Sequence, residues 1–227
     1  MKQKFTILFD LDGTLVDTAP DLMLAHNHVM KKFGYPTKST EDIRNLVGKG
    51  AGALIGRSVW GQAKKEFSKV LDAKIKDEMV KEFVNFYGKN IVNESTLVTG
   101  VKDFLIWCKE QNISMAVCTN KQEHLSNDLL KKIGIYDFFE YVAGSDTFDY
   151  CKPDPRHLTN VVEILDGDVK KTIMIGDSET DANAAKAAEI PVILLENGYT
   201  EKNTTEIYHN HLIKDFIGIE KIISKYL

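Results

Sequence analysis

The segment Phe5-Thr6-Ile7-Leu8-Phe9-Asp10-Leu11-Asp12-Gly13-Thr14 decides how the rest of the chain is read. Phe5 to Phe9 is a short, nearly continuous apolar run, the pattern of a strand buried on both faces. Asp10 and Asp12 end it abruptly, and Gly13 supplies the positive φ of a tight turn. A strand buried on both faces belongs in a parallel sheet covered by helices, and such sheets bind ligands at the carboxyl ends of their strands.

Downstream of this strand the periodicity is helical. Pro20 opens a helix predicted from Asp21 to Phe33, which Gly34 stops. Thr40 is expected to cap a helix entering at Glu41, Leu46 to Arg57 holds a glycine-rich break, and Lys64 to Lys89 carries apolar residues at helical spacing. After Gly100 helices and strands alternate. Helices are predicted over Val101–Gln111, Lys121–Ile133, Arg156–Leu165, Thr180–Ala188 and Phe216–Lys225. Strands are predicted over Ile113–Cys118, Tyr141–Ala143, Thr172–Ile175 and Val192–Leu195. The expected fold class is α/β: a Rossmann-like core with a central parallel sheet covered by helices on both faces. Residues 1–17 and 94–227 form that core, and residues 18–93 form an all-helical domain inserted after the first strand.

Bulk properties narrow the function. The chain has 227 residues, 43% hydrophobic and 27% charged, an ordinary globular composition. A net charge of −4 argues against a nucleic-acid partner, which calls for a basic face. No stretch reaches the roughly 18 apolar residues of a membrane span, and the apolar run after Lys4 is too short for a signal peptide. Cys108, Cys118 and Cys151 are odd in number and lack metal or disulfide spacing, which fits a reducing, cytoplasmic setting. The expected partner is a small soluble molecule, and the expected assembly a monomer or weak homodimer.

Four predicted strand ends or loops carry unusual polar residues: Asp10-Leu11-Asp12, Thr119-Asn120-Lys121, Cys151-Lys152-Pro153 and Gly176-Asp177-Ser178-Glu179-Thr180-Asp181. Singly, each has an ordinary structural reading. Asp12 can begin a turn, Thr119 can cap a helix, and Ser178 with Asp181 matches a capping box. Together they assemble the parts of phosphoryl transfer. Asp10, Asp12 and Asp177 would converge at neighbouring strand ends, where their mutual repulsion calls for a cation, and Mg2+ prefers such oxygen ligands. Thr119 and Lys152 can donate hydrogen bonds to phosphoryl oxygens.

These four segments, in this order, resemble the motifs of the haloacid dehalogenase superfamily across the whole predicted core, and the helical insert resembles that superfamily's cap. The resemblance implies a Mg2+-dependent phosphomonoester hydrolase acting on a small phosphorylated metabolite. Asp10 would be the nucleophile that forms an aspartyl-phosphate, and Asp12 the acid and base. The metal would be held by Asp10, the Asp12 backbone carbonyl and Asp177, with Asp181 supporting from behind. An acid at Asp12 suits an alkoxide leaving group, which dehalogenating members do not have. Thr119, Asn120 and Lys152 would bind the phosphoryl group, while Lys49, between Gly48 and Gly50 in the insert, would reach a substrate carboxylate. Asp10 to Leu22, Val47 to Arg57 and Asn197-Gly198-Tyr199 are most similar to bacterial phosphoglycolate phosphatases, which makes 2-phosphoglycolate the expected substrate. A phosphotransferase or mutase of sugar phosphates and a non-enzymatic phosphate-binding switch are the alternatives.

Overall fold

In a computed structural model that describes residues 4–61 and 69–227, the first strand is β1 (Thr6–Phe9), followed by β2 (Val16–Asp17). Four helices come next: α1 (Ala19–Phe33), α2 (Thr40–Arg44), α3 (Ala51–Trp60) and α4 (Lys69–Lys89). The chain continues through β3 (Thr96–Leu97), α5 (Val101–Glu110), β4 (Ser114–Cys118), α6 (Glu123–Ile133) and β5 (Tyr141–Ala143). It ends with α7 (Arg156–Ile164), β6 (Thr172–Gly176), α8 (Glu179–Ala187), β7 (Val192–Leu195), β8 (His211–Ile213) and α9 (Glu220–Ile223).

Six strands form one parallel sheet in the order β5-β4-β1-β6-β7-β8. The chain builds outward from β1 on one side, then crosses over to build the other, so β1 sits where the winding reverses. That reversal opens a crevice at the strand carboxyl ends, the usual ligand position in such sheets. The apolar runs are continuous because both faces are covered. Ile7, Phe9, Val117 and Ile175 belong to one buried cluster with Phe104 of α5 and Leu129 of α6. Leu8, Ala116 and Met174 belong to the other, with Val161 of α7 and Ala184 of α8.

Several elements depart from the sequence reading. The first helix begins at Ala19 rather than Asp21, because Pro20 is tolerated within the first turn. Ser39, not Thr40, caps α2: its hydroxyl accepts from Asp42 N at 3.1 Å while the Asp42 carboxylate accepts from Ser39 N. The expected helix over Phe216–Lys225 shrinks to α9, because Gly218 adopts φ 78° and breaks the turn before it. The expected helix over 64–89 appears as α4, and its first residues, with Phe67, lie outside the described residues. Strands β2, β3 and β8 were not expected, being too short for a periodicity to register.

The helices α1 to α4 leave and re-enter the sheet through β2 and β3, which pair antiparallel, Val16 with Leu97 and Asp17 with Thr96. Beside them Asp21, buried on α1, grips the returning strand of chain. Its carboxylate accepts from Asn93 N at 3.0 Å, Glu94 N at 3.1 Å, Ser95 N at 2.9 Å and the Ser95 hydroxyl at 2.6 Å. Asp21→Ala would leave those donors without an acceptor, and a buried unpaired donor costs about 1–3 kcal/mol. We expect that variant to lose on the order of 3 kcal/mol of stability, read as a fall in the urea unfolding midpoint, partly offset by water entering the gap.

Candidate active site

The site grows from the carboxyl end of β1. Asp10 N donates to Ile175 O of β6 at 2.9 Å, so the sheet ladder itself fixes where the Asp10 side chain emerges. Gly13 turns the chain back with φ 81°, and a Cβ there would lie 2.1 Å from Asp177 Oδ2. Glycine is therefore required twice over, by backbone angle and by the approach of a carboxylate. From the other side, Gly198 passes so close to Asp177 O that a Cβ would sit 1.9 Å away.

Asp10, Asp177 and Asp181 bring carboxylate oxygens to within 4.8 Å of one another, all buried. Lys152 reaches in from the loop before α7, its Nζ 2.9 Å from Asp10 Oδ1 and bonded to Asp181 Oδ1. Burial pushes the Asp10 carboxyl up to about 6, with the Asp181 and Asp12 charges adding to the rise and Lys152 opposing it. Burial also raises Asp177 well above its usual range, reinforced by Asp10 and Asp181. Burial alone would lower the Lys152 ammonium, but Asp10 and Asp181 lift it above its ordinary value, so it stays charged. Three carboxylates facing one ammonium leave an unmet demand for positive charge, and oxygen donors of this kind suit a hard divalent cation. The donor set thus fits a metal.

The residues around this cluster hold it in shape. Asp181 spends Oδ2 on Asp177 N, Ser178 N and the Ser178 hydroxyl, a capping box that starts α8. With Oδ1 on Lys152, Asp181 is the most committed of the three. Asp177 Oδ2 accepts from Tyr199 N at 2.7 Å. His157 Nδ1 accepts from Lys152 N at 3.2 Å. Burial and the Lys152 charge depress that imidazole to about 4, so it stays neutral and able to accept.

Asp12 stands apart from the three-carboxylate cluster. Its Oδ1 accepts from the Thr18 hydroxyl at 2.7 Å, and both its oxygens accept from Lys121 Nζ, at 2.8 and 2.9 Å. Thr119, buried at the end of β4, turns its hydroxyl oxygen toward Lys121 N at 3.2 Å. Asn120 acts as a brace: its amide donates to Gly48 O at 3.1 Å and Lys152 O at 2.9 Å, tying the helical insert to the catalytic loop. Lys49 is exposed on the loop before α3. A cavity of about 260 Å³ joins these residues: Asp10, Asp12, Thr119, Asn120, Lys121 and Lys49 all line it, under an apolar roof that includes Leu54, Phe83 and Tyr87. Arg57 of α3 is tied to Glu201 and to the carbonyls of Asn45 and Leu46.

Sequence reasoning missed four contributors: Lys121, Thr18, His157 and Tyr199. Lys121 directly follows Thr119 and Asn120, but nothing local marks its partner, 109 residues away. The three cysteines are free, Cys108 and Cys118 buried and Cys151 partly so.

A parallel sheet with this winding sets an aspartate after its first strand, a buried lysine and a second acidic loop together, the parts that phosphoryl transfer needs. The model of the haloacid dehalogenase-like hydrolase family matches residues 7–195, and the chain belongs to that family. Among its curated relatives, a phosphoglycolate phosphatase of Caulobacter vibrioides is 38% identical over 95% of this chain and 89% of its own length. One of Mesorhizobium japonicum is 37% identical over 92% and 90%. A crystal structure described as a predicted phosphoglycolate phosphatase from Haemophilus somnus 129pt superposes with a TM-score of 0.88 at 32% identity, covering 98% of this chain and 99% of that one.

The raised carboxyls give a pH test. A carboxyl whose folded pKa lies above its unfolded value, as for Asp10 at about 6 against 3.8, stabilises the fold below the unfolded value and loses that contribution as pH rises through the folded one. A cation must displace those protons in acid and relieves the repulsion once they have left. We expect Mg2+ to raise the melting temperature more at about pH 7.5 than at about pH 5, measured by thermal unfolding at fixed metal concentration. An equal shift at both would show that the metal does not bind at these carboxylates.

Proposed function

We propose that this phosphatase hydrolyses a small phosphomonoester, 2-phosphoglycolate to glycolate and phosphate, through an aspartyl-phosphate on Asp10. The observation that carries the reading is the buried cluster of Asp10, Asp177 and Asp181 set against Lys152, whose Asp10 lines a cavity together with Asp12. Mg2+ held by Asp10, the Asp12 backbone carbonyl and Asp177 would supply positive charge to phosphoryl oxygens and to the nucleophile's carboxylate.

The remaining chemistry belongs to the chain. An Asp10 carboxylate oxygen attacks phosphorus in line with the ester oxygen; the P–O bond to glycolate breaks and the leaving oxygen takes the Asp12 proton. Asp12, now a carboxylate, accepts a proton from water as that water's oxygen attacks phosphorus. The bond to Asp10 breaks, phosphate leaves, and both aspartates return to their starting forms. Thr119 and Lys152 donate to the phosphoryl oxygens, where the buried ammonium meets charge in a low-dielectric setting. Asp181 keeps Lys152 aimed at Asp10, and Asn120 joins the phosphate loop to Gly48 of the insert.

In this reading residues 18–93 are a cap over a core of residues 1–17 and 94–227. Closing it over the cavity excludes water and brings Lys49 toward the substrate carboxylate. The choice of 2-phosphoglycolate is supported by relatives of that name at 37–38% identity across nearly their whole length.

Phosphate release from a panel of 2-phosphoglycolate, hexose phosphates, nucleotides and pyrophosphate tests both levels. Release with Mg2+ that chelator abolishes, strongest for 2-phosphoglycolate, is the expected result; a stronger response to another ester would overturn the substrate and keep the chemistry. Asp12→Asn should reduce turnover by roughly 10²–10⁴-fold, the usual range for a lost acid/base group. Calorimetric Mg2+ binding should persist in that variant, because its side chain is not a ligand. Turnover at the wild-type rate would remove Asp12 from the acid/base role.

A further inference from the structure

Two cations line the cavity among its described lining residues, and they differ in kind. Lys49 is exposed, whereas Lys121 is 9% exposed and its ammonium forks onto both Asp12 oxygens. The same ammonium lies 4.5 Å from the centroid of the Tyr87 ring on α4. Lys121 therefore touches the residue assigned as the acid and base and the roof of the cavity at once.

The two Asp12 oxygens are not equivalent. Oδ1 has the Thr18 hydroxyl at 2.7 Å as a second donor, while Oδ2 accepts from Lys121. While Lys121 stays on Oδ2, that oxygen already accepts from a donor. A lysine ammonium is a compact point charge with three donors on a flexible stem, so it exchanges one carboxylate for another without rebuilding its surroundings. The Tyr87 ring face favours keeping that charge at the cavity wall during such an exchange.

We propose that Lys121 is a specificity residue that reads an anionic group on the leaving alcohol. A substrate carboxylate in the cavity draws the ammonium from Asp12 Oδ2, and that oxygen then takes up a proton from solvent and delivers it to the departing ester oxygen. A substrate without the carboxylate leaves Lys121 on Asp12. The inference rests on the phosphomonoesterase reading above and deepens it: the substrates favoured are phosphomonoesters of short hydroxy acids, recognised by a buried ammonium as well as by Lys49 at the surface. It follows the general rule that binding energy from a non-reacting part of a substrate is realised in turnover.

The test compares 2-phosphoglycolate with ethyl phosphate, which has the same two-carbon leaving group without the carboxylate. Both are assayed with Mg2+ on wild type, Lys121→Met and Lys121→Arg, each shown to be folded by circular dichroism. In Lys121→Met the preference for 2-phosphoglycolate over ethyl phosphate, read as the ratio of their kcat/KM values, should fall roughly 10- to 100-fold, through loss on 2-phosphoglycolate and gain on ethyl phosphate, for which Asp12 is no longer held by Lys121. Lys121→Arg should recover part of the selectivity, because a guanidinium also pairs with a carboxylate. An equal fall for both esters, the signature of a lysine that merely props Asp12, would overturn the proposal. So would an unchanged 2-phosphoglycolate rate in Lys121→Met or, should that variant misfold, wild-type selectivity in Lys121→Gln, which keeps a donor but carries no charge. Failure of the wild type on 2-phosphoglycolate, with turnover of other esters, would instead overturn the substrate and this inference together.

Discussion

The contact on which the site depends is the buried ammonium of Lys152 between Asp10 and Asp181. Burying carboxylates at the ends of parallel strands is costly, and a lysine pulled into the same low-dielectric space is costly as well. Each makes the other tolerable, but three acids and one base do not balance. The residual demand for positive charge is the physical reason this fold can hold a divalent cation and attract a phosphoryl group at the same place. A site made of fully matched pairs would be more stable and would have nothing left to offer a ligand.

Around this imbalance, neighbouring groups fix geometry. His157 accepts from the Lys152 backbone, Ser178 and two backbone N–H groups occupy Asp181, and Tyr199 N holds Asp177. Tyr199 extends the support outward. Its hydroxyl donates to Asp17 and accepts from Ala19 N at 2.8 Å, and Arg44 of α2 donates to the same Asp17 at 2.7 Å. A continuous run of hydrogen bonds thus joins the second helix of the insert, the strand through which the chain leaves the sheet, and the acidic loop after β6. Asp21 performs the matching task on the returning segment. Both crossings between insert and sheet are therefore anchored by buried or half-buried carboxylates rather than by apolar packing alone.

Much of this was legible in the residues. The strands Thr6–Phe9, Ser114–Cys118, Thr172–Gly176 and Val192–Leu195 stand out because strands covered on both faces must be apolar throughout. Three of the four chemistry-bearing segments stand out because they begin where an apolar run stops; the one carrying Lys152 follows a polar stretch, Ser145 to Tyr150. Errors fell where local signals compete or are too short. Adjacent hydroxyls at Ser39 and Thr40 both qualify as caps, and the reciprocal bond from Asp42 chooses between them. Gly218 interrupts an amphipathic pattern that otherwise reads as one helix over 216–225. Two-residue strands such as β2 and β3 exist because they meet each other, not because of a pattern within either.

By itself the sequence determined most of the segments that form the sheet, that helices follow the first strand, and that Asp10, Asp12, Thr119 and Asp177 stand just past strand ends. Those properties depend on neighbours within a few residues, where hydrophobic period and turn chemistry act. Only the tertiary structure decided that Lys121 would meet Asp12, that Tyr199 would hold Asp177 while bonding Asp17, and that Asp21 would seize the chain at Asn93 to Ser95. Each of those side chains is an ordinary surface-type residue by composition. What makes it a partner is the position of an opposite group 22 to 182 residues away, and that position is set by how the sheet winds.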